Sequence, residues 1–313
     1  MELSKVNTIV NPTEIHKIST KFLDNCFFVK RDDLLPFSFG GNKARKAIYF
    51  FEEILNGGFD TVVTYGSSSS NHCRVVANAC AKYELNCYII SPEENYNETF
   101  NSLLVKKFGA KIIKAPLVKI ASTIDEVMNK LSKDCRPYFI EGGGHGNLGT
   151  KAYVDAYKEI CNYEKENNIY FDYIFHASGT GTTQAGLVCG AALEKDTNRK
   201  IVGISIARKN PRGKQVVRKS VEDFLKSVNY SGDMPDVIFD DSYICGGYGE
   251  YNEQIINCID SVMASEGIPL NRTYSGKAFW GMKEYLRKEN VTNKNILFIN
   301  TGGTPLFFDC LRK

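Results

Sequence analysis

Two periodicities alternate along this chain, and that alternation constrains its fold more than any other feature. Short runs rich in β-branched and aromatic residues recur as FFVKRD (27–32), TVVTYG (61–66), CYIIS (87–91), KIIKAP (111–116), PYFIE (137–141), DYIFHA (172–177), IVGISIA (201–207), DVIFDD (236–241) and NILFIN (295–300). Nearly continuous apolar runs of this length suit strands covered on both faces. Between most of them, apolar residues recur at helical spacing: over 43–55, 73–83, 101–108, 122–131, 150–160, 183–193, 254–265 and 277–288. Strand–helix–strand repetition predicts an α/β fold of open parallel sheets with helices on both faces. A closed eightfold barrel is the rival, but the elements are too uneven in length to fit it. The polar run 158–168 reads as a solvated helix end and loop.

Composition narrows the class. Hydrophobic residues make up 43% and charged residues 24%, which excludes wholesale disorder. Lys and Arg number 39 against 36 Asp and Glu, a net +3 that gives no general pull toward nucleic acid or an anionic membrane. One run, RKNPRGKQVVRK (208–219), is basic throughout, but no aromatic interleaves it and acidic residues follow. It reads as a solvated loop and helix face rather than a nucleic-acid site. No apolar stretch approaches the roughly 18 residues a membrane span needs, and no signal-peptide core opens the chain, so a cytoplasmic protein is expected. The ten cysteines include no CxxC pair. Cys73, Cys80 and Cys87 beside His72 invite a metal reading, yet Cys87 sits in a strand-like run and cannot share a helical face with the others. Buried free thiols are expected, and no metal.

Open parallel sheets place ligands beyond the carboxyl ends of their strands. Three such ends carry small residues leading into a helix: SSSSNHCR after TVVTYG, SGTGTTQAG after DYIFHA, and TGGTP after NILFIN. Each offers unpaired backbone N–H groups to an anion, and none spells a Walker A or GxGxxG nucleotide motif. A fourth segment, FSFGGNKARK, passes through Gly40-Gly41 to Lys43 at a helix start. The positive end of the helix dipole favours the neutral, nucleophilic amine there, and the double glycine lets backbone approach a ligand closely.

These segments together are identifiable. GGNKARK, the SNH of SSSSNHCR, SGTGTTQAG, GGYGEYN, YSGKA and TGGTP occur in the order and approximate spacing of one pyridoxal-phosphate family. The chain resembles the 1-aminocyclopropane-1-carboxylate deaminase and D-cysteine desulfhydrase family, relatives of tryptophan synthase β, from about Phe28 to Phe308. The resemblance implies pyridoxal 5'-phosphate as cofactor, in a cleft between a small domain (44–149) with four parallel strands and a discontinuous large domain (1–43 plus 150–313). It also implies a homodimer acting on a small amino acid.

The implied roles follow residue by residue. Lys43 matches the lysine that holds the cofactor covalently and serves as general base. Asn71 matches the partner of the cofactor's ring hydroxyl, and Ser70, with the helix-start N–H groups, the substrate-carboxylate site. Ser178, Gly179, Thr180, Gly181 and Thr182 match the phosphate loop. Tyr248 and Tyr274 match pocket tyrosines, Ser275 the residue facing the pyridine nitrogen, and Thr301 a residue near the ring.

Ser275, Thr301 and His72 separate the two activities. Deaminases of this family resemble YEGK where this chain has YSGK, and carry leucine and glutamine at the other two positions. A carboxylate at the ring nitrogen deepens the electron sink that opening a cyclopropane needs. Serine leaves it shallower, enough to expel a good leaving group from the β-carbon. The implied reaction is β-elimination to a 2-oxo acid and ammonia, D-cysteine giving pyruvate and sulfide. Tyr248, Tyr274 and His72 are all candidates to protonate the leaving group. Departures from the family pattern are Tyr251 for a proline, Asn271-Arg272 for an aspartate-proline, and Asn300 for a histidine. Arg272 reads as a surface arginine on a loop or, alternatively, as a cation near the pocket favouring an additional anionic group on the substrate. These departures leave D-serine, an O-acyl serine, cysteate and diaminopropionate open as other substrates, beside 1-aminocyclopropane-1-carboxylate. A catalytically silent binding protein is the reading from another class.

Overall fold

The computed structural model describes residues 11–67, 69–93 and 98–311. Ser68 of the serine run, and residues 1–10, 94–97 and 312–313 of the expected domain ranges, lie outside the described residues. Ten strands build two sheets. The six-stranded sheet has the order β1 (Ile15–Lys17), β2 (Cys26–Lys30), β10 (Asn295–Ile299), β7 (Tyr173–Ser178), β8 (Lys200–Ser205), β9 (Ile238–Asp240). The four-stranded sheet has the order β5 (Lys111–Ala115), β4 (Asn86–Pro92), β3 (Thr61–Tyr65), β6 (Pro137–Ile140). Pairing is parallel throughout except at one edge, where β1 runs antiparallel to β2. That edge strand corrects the all-parallel expectation. Three residues, IHK, are too few to show a period.

Alternation along the strands divides the large core. Phe28, Leu297 and Ile299 join one buried cluster with α5 (Asn147–Asn167), α6 (Thr182–Leu193) and α7 (Arg212–Ser227). Phe27, Val29, Ile296 and Phe298 point the other way, into α8 (Glu253–Glu266), α9 (Ser275–Lys288) and α10 (Thr304–Cys310). A period of two on a sheet covered on both faces produces this split. The smaller sheet repeats it. Val62 and Ile89 face α1 (Asn42–Asn56), α2 (Asn71–Lys82) and α3 (Phe100–Lys107), while Val63 and Ile90 face α4 (Ile120–Leu131).

Two further expectations change. The run 158–168 is the last part of α5, with Ile160 and Glu164 buried, and Glu164 accepts from the Arg199 guanidinium at 2.7 Å. Its charged residues hid a buried stripe. The basic run 208–219 is a loop followed by the first half of α7, with Val217 fully buried. Cys73, Cys80 and Cys87 are all buried, and none is in a disulfide. No described helix is long and apolar enough to cross a membrane.

Candidate active site

The strand ends singled out in the sequence meet in one cleft of about 310 Å³, within the range of small-molecule sites. Lys43, Ser70, Asn71, His72, Ser178, Gly179, Thr180, Gly181, Tyr248, Tyr274 and Thr301 all line it. Thr182 and Ser275 do not. Thr182 Oγ1 accepts from the buried Lys46 ammonium at 2.6 Å and donates to the Gly144 carbonyl at 3.3 Å, beneath the loop. Ser275 is fully buried, linked to the wall through Asn271, whose Nδ2 donates to both Ser275 Oγ and the Gly302 carbonyl.

Lys43 is the second residue of α1, and its Nζ donates to the Gly143 carbonyl at 2.8 Å. Burial, then the positive charge of Arg208, pulls its pKa down to about 8, against a small opposing influence from Cys73. Desolvation therefore achieves what the helix dipole was expected to do. The double glycine also serves a different end. Gly41 has φ +95°, and a Cβ there would lie 2.6 Å from the Thr301 carbonyl. Gly302 answers it: a Cβ there would meet the Gly41 Cα at 2.5 Å. Backbone approaches backbone, and Asn42 N–H donates to the Thr301 carbonyl at 3.0 Å, so the Lys43 helix is docked on the β10 loop.

On the opposite wall Ser70 caps α2, accepting from Cys73 N–H at 3.2 Å. The two N–H groups before that of Cys73, those of Asn71 and His72 at the helix start, are the ones available to a ligand anion, since Arg74 N–H donates to the Ser70 carbonyl. Asn71 is oriented by Asn101, whose amide donates to Asn71 Oδ1 at 2.9 Å. Thr64 Oγ1 spends its one proton on the Ile140 carbonyl, so the 2.8 Å contact with His72 requires the ring Nε2 to donate. Burial, then Lys43 and Lys46, holds His72 well below its ordinary pKa. This imidazole is neutral, and its only N–H is committed. Across the cleft the Tyr248 and Tyr274 hydroxyls lie 2.5 Å apart. Burial, then Tyr248, raises the pKa of Tyr274 well above that of a free phenol. Tyr274 therefore keeps its proton within hydrogen-bonding reach of Tyr248.

Six lining residues were not singled out from the sequence. Gly142 and Gly143 follow β6 in the run EGGGHG, a fourth small-residue strand end of the kind that revealed the other three. Tyr65 and Gly66 end β3. Thr183 accepts from Asn42 Nδ2 at 3.1 Å. Arg208, the first residue of the supposedly solvated basic run, lines the cleft, and its Nη1 has no hydrogen-bond partner. Arg272, weighed as a pocket cation against a surface arginine, donates to the Cys310 carbonyl at 2.8 Å and stacks on Tyr251, away from the lining. Among the described residues no aspartate or glutamate lines the cleft, whose charged side chains are Lys43 and Arg208.

A lysine amine, an anion cradle at a helix start and a wall without carboxylates make a site for an anionic carbonyl compound. The family described as "Pyridoxal-phosphate dependent enzyme" matches residues 6–302. The chain belongs to that family. A D-cysteine desulfhydrase of Serratia proteamaculans is 31% identical, the match covering 98% of this chain and 96% of that protein. A Pyrococcus abyssi protein, provisionally named 1-aminocyclopropane-1-carboxylate deaminase, is 34% identical over 90% of this chain and 85% of its own. The crystal structure of an ACC deaminase homologue superimposes with a TM-score of 0.87 at 28% identity, covering 99% and 96% of the two chains. This pyridoxal-phosphate enzyme has the α/β architecture of those relatives, and its residues fit the cofactor. Glycines and Thr180 line the cleft at the start of α6, and Lys43 stands at hydrogen-bonding distance from Gly143 beside them.

Proposed function

We propose that this enzyme catalyses α,β-elimination on a small amino acid, with D-cysteine, giving pyruvate, ammonia and sulfide, as the first candidate substrate. The observation that carries the choice is the absence of any carboxylate among the described residues of the lining; by the family resemblance, Ser275, buried just behind that wall, takes the place where a deaminase would present one. Ser275 Oγ accepts from both Asn271 N–H at 3.0 Å and Asn271 Nδ2 at 2.9 Å. Its own hydrogen is left to donate, which suits an unprotonated ring nitrogen and a shallow sink.

When bound, the cofactor supplies the electron sink that makes the substrate α-carbon acidic. Ser178, Gly179, Thr180 and Gly181 would hold its phosphate, Asn71 its ring hydroxyl and Lys43 its carbonyl carbon, with Thr301 beside the ring. Thr182 would act from beneath, by fixing Lys46. Ser70 and the α2 N–H groups hold the substrate carboxylate. Lys43, freed by the substrate amine, takes the α-proton. Tyr248 and Tyr274 return a proton to the departing thiolate sulfur. His72, with its N–H given to Thr64, positions rather than protonates.

Arg208 favours a second reading of the same class, in which the leaving group is itself anionic, as the sulfonate of cysteate is. Both sheets carry their own cores, which supports a division at 44–149, and a homodimer is kept as the expectation from the family. A solution mass of twice 35.1 kDa would check the dimer. The deciding experiment supplies cofactor-loaded enzyme with D-cysteine, L-cysteine, cysteate and 1-aminocyclopropane-1-carboxylate in parallel. Pyruvate and sulfide from D-cysteine are expected, with none from the cyclopropane. Turnover of the cyclopropane alone would overturn the reading.

A further inference from the structure

Lys277 lies in the first turn of α9, fully buried, where a positive charge opposes the helix dipole. It forms no salt bridge within 4.0 Å of a described carboxylate. Instead its three donors are spent on three backbone carbonyls: Ile206 at 3.1 Å, Ile244 at 2.9 Å and Gly247 at 2.9 Å. An ammonium with all three hydrogens on neutral oxygens is solvated by the protein as water would solvate a free ion. Burial still pulls its pKa down to about 8, partly offset by Cys245 and Glu250.

The carbonyls come from two walls of the cleft. Ile206 precedes Arg208 at the end of β8, and Ile244 and Gly247 belong to the loop that presents Tyr248. That loop has little stiffness of its own, with Gly246 at φ +99° and Gly249 at φ +82° on either side. Tyr248 nevertheless sits with its hydroxyl 2.5 Å from that of Tyr274, a residue three positions before Lys277.

We propose that Lys277 is a positioning residue, a tethered monovalent cation whose three-carbonyl cage holds the Tyr248 loop in register with Tyr274. Removing the side chain while keeping the cage leaves a site that accepts a free ammonium ion, whose N–H···O distances are the same.

The test uses Lys277→Ala holoenzyme, in which the side chain is gone and the three carbonyls remain, in ammonium chloride, potassium chloride and choline chloride at equal ionic strength. In choline chloride the variant should melt lower than wild type and lose about tenfold or more in kcat, the loss expected when charge-assisted bonds are removed. Ammonium should restore both, and wild type should respond to none of the salts. Wild-type behaviour of the variant in choline chloride, or no response to ammonium, would overturn the proposal. Should Lys277→Ala fail to fold, Lys277→Gln keeps two of the three donors and serves in a cycle with Tyr248→Phe. Because Lys277 acts through Tyr248, the double variant should be little worse than the slower single one, and additive losses would refute the idea. The turnover arms rest on the elimination chemistry proposed above. The melting arm needs no substrate, so a failure of that chemistry leaves it readable.

Discussion

Lys43 carries the chemistry, and its usefulness depends on a neutral amine. Burial and Arg208 place its pKa at about 8, below the ordinary lysine value, so the protonated form is the one penalised. In cofactor-free enzyme the rate of covalent cofactor attachment should therefore rise with pH through about 8. Arg208→Gln removes a neighbouring positive charge, which raises the amine's pKa and moves that rise to higher pH. Stopped-flow absorbance across a pH series measures both, and coincident profiles would rule out the electrostatic link. Lys43→Ala should abolish attachment and turnover together.

At the scale of elements, α2 shows how one residue can serve both fold and site. Ser70 caps the helix, and a lost cap of this kind costs about 1 kcal/mol. Ser70→Ala should lower stability by that amount in urea and raise KM more than it lowers kcat. Ser70→Asp separates the two roles, because aspartate caps as well as serine but repels a substrate carboxylate. It should recover the stability while KM stays high. Recovery of both by Asp would mean that Ser70 acts only through the helix.

The elements themselves were largely legible in the sequence. Nine strand-like runs became nine strands, because buried parallel strands are marked by β-branched density. What escaped was short or disguised. β1 is three residues long, and α7 hides a buried face, with Val217 and Val221, inside a run of charges. Among site residues, Lys43, Asn71 and the 178–181 loop sit at strand ends and helix starts that local pattern marks. Arg208 follows β8 in a basic run, and nothing local says which of its cations turns inward.

At the scale of the molecule, a buried charge network joins the Lys43 helix to the larger sheet. Arg45 grips Asp32 through Nη2 at 2.8 Å and Nε at 3.1 Å, and reaches Glu159 on α5 through Nη1. Lys30 of β2 also donates to Glu159, and Tyr153 donates to Asp32 at 2.6 Å. Burial alone would push Asp32 up, but Arg45 and Lys30 outweigh it and hold the carboxyl at about 2. With its folded pKa depressed, Asp32 contributes its full stabilisation above about pH 4 and loses it as pH falls toward 2. Asp32→Ala leaves buried cations uncompensated and should cost about 3–5 kcal/mol in chemical denaturation. A cost under about 1 kcal/mol would show that the network relaxes around the loss.

The sequence by itself determined the α/β class, the strand and helix order and the strand-end residues, because periodicity and helix starts are local properties of a chain. It also held, in six short motifs in register, the family and with it the cofactor. It took the folded chain to bring Arg208 rather than Arg272 into the cleft beside Lys43, to set the His72 N–H as a donor to Thr64, and to ring Lys277 with three carbonyls. Those outcomes depend on which atoms from distant segments arrive within about 3 Å of one another. Burial then sets the strength of their electrostatics, and neither is written in any local stretch of chain.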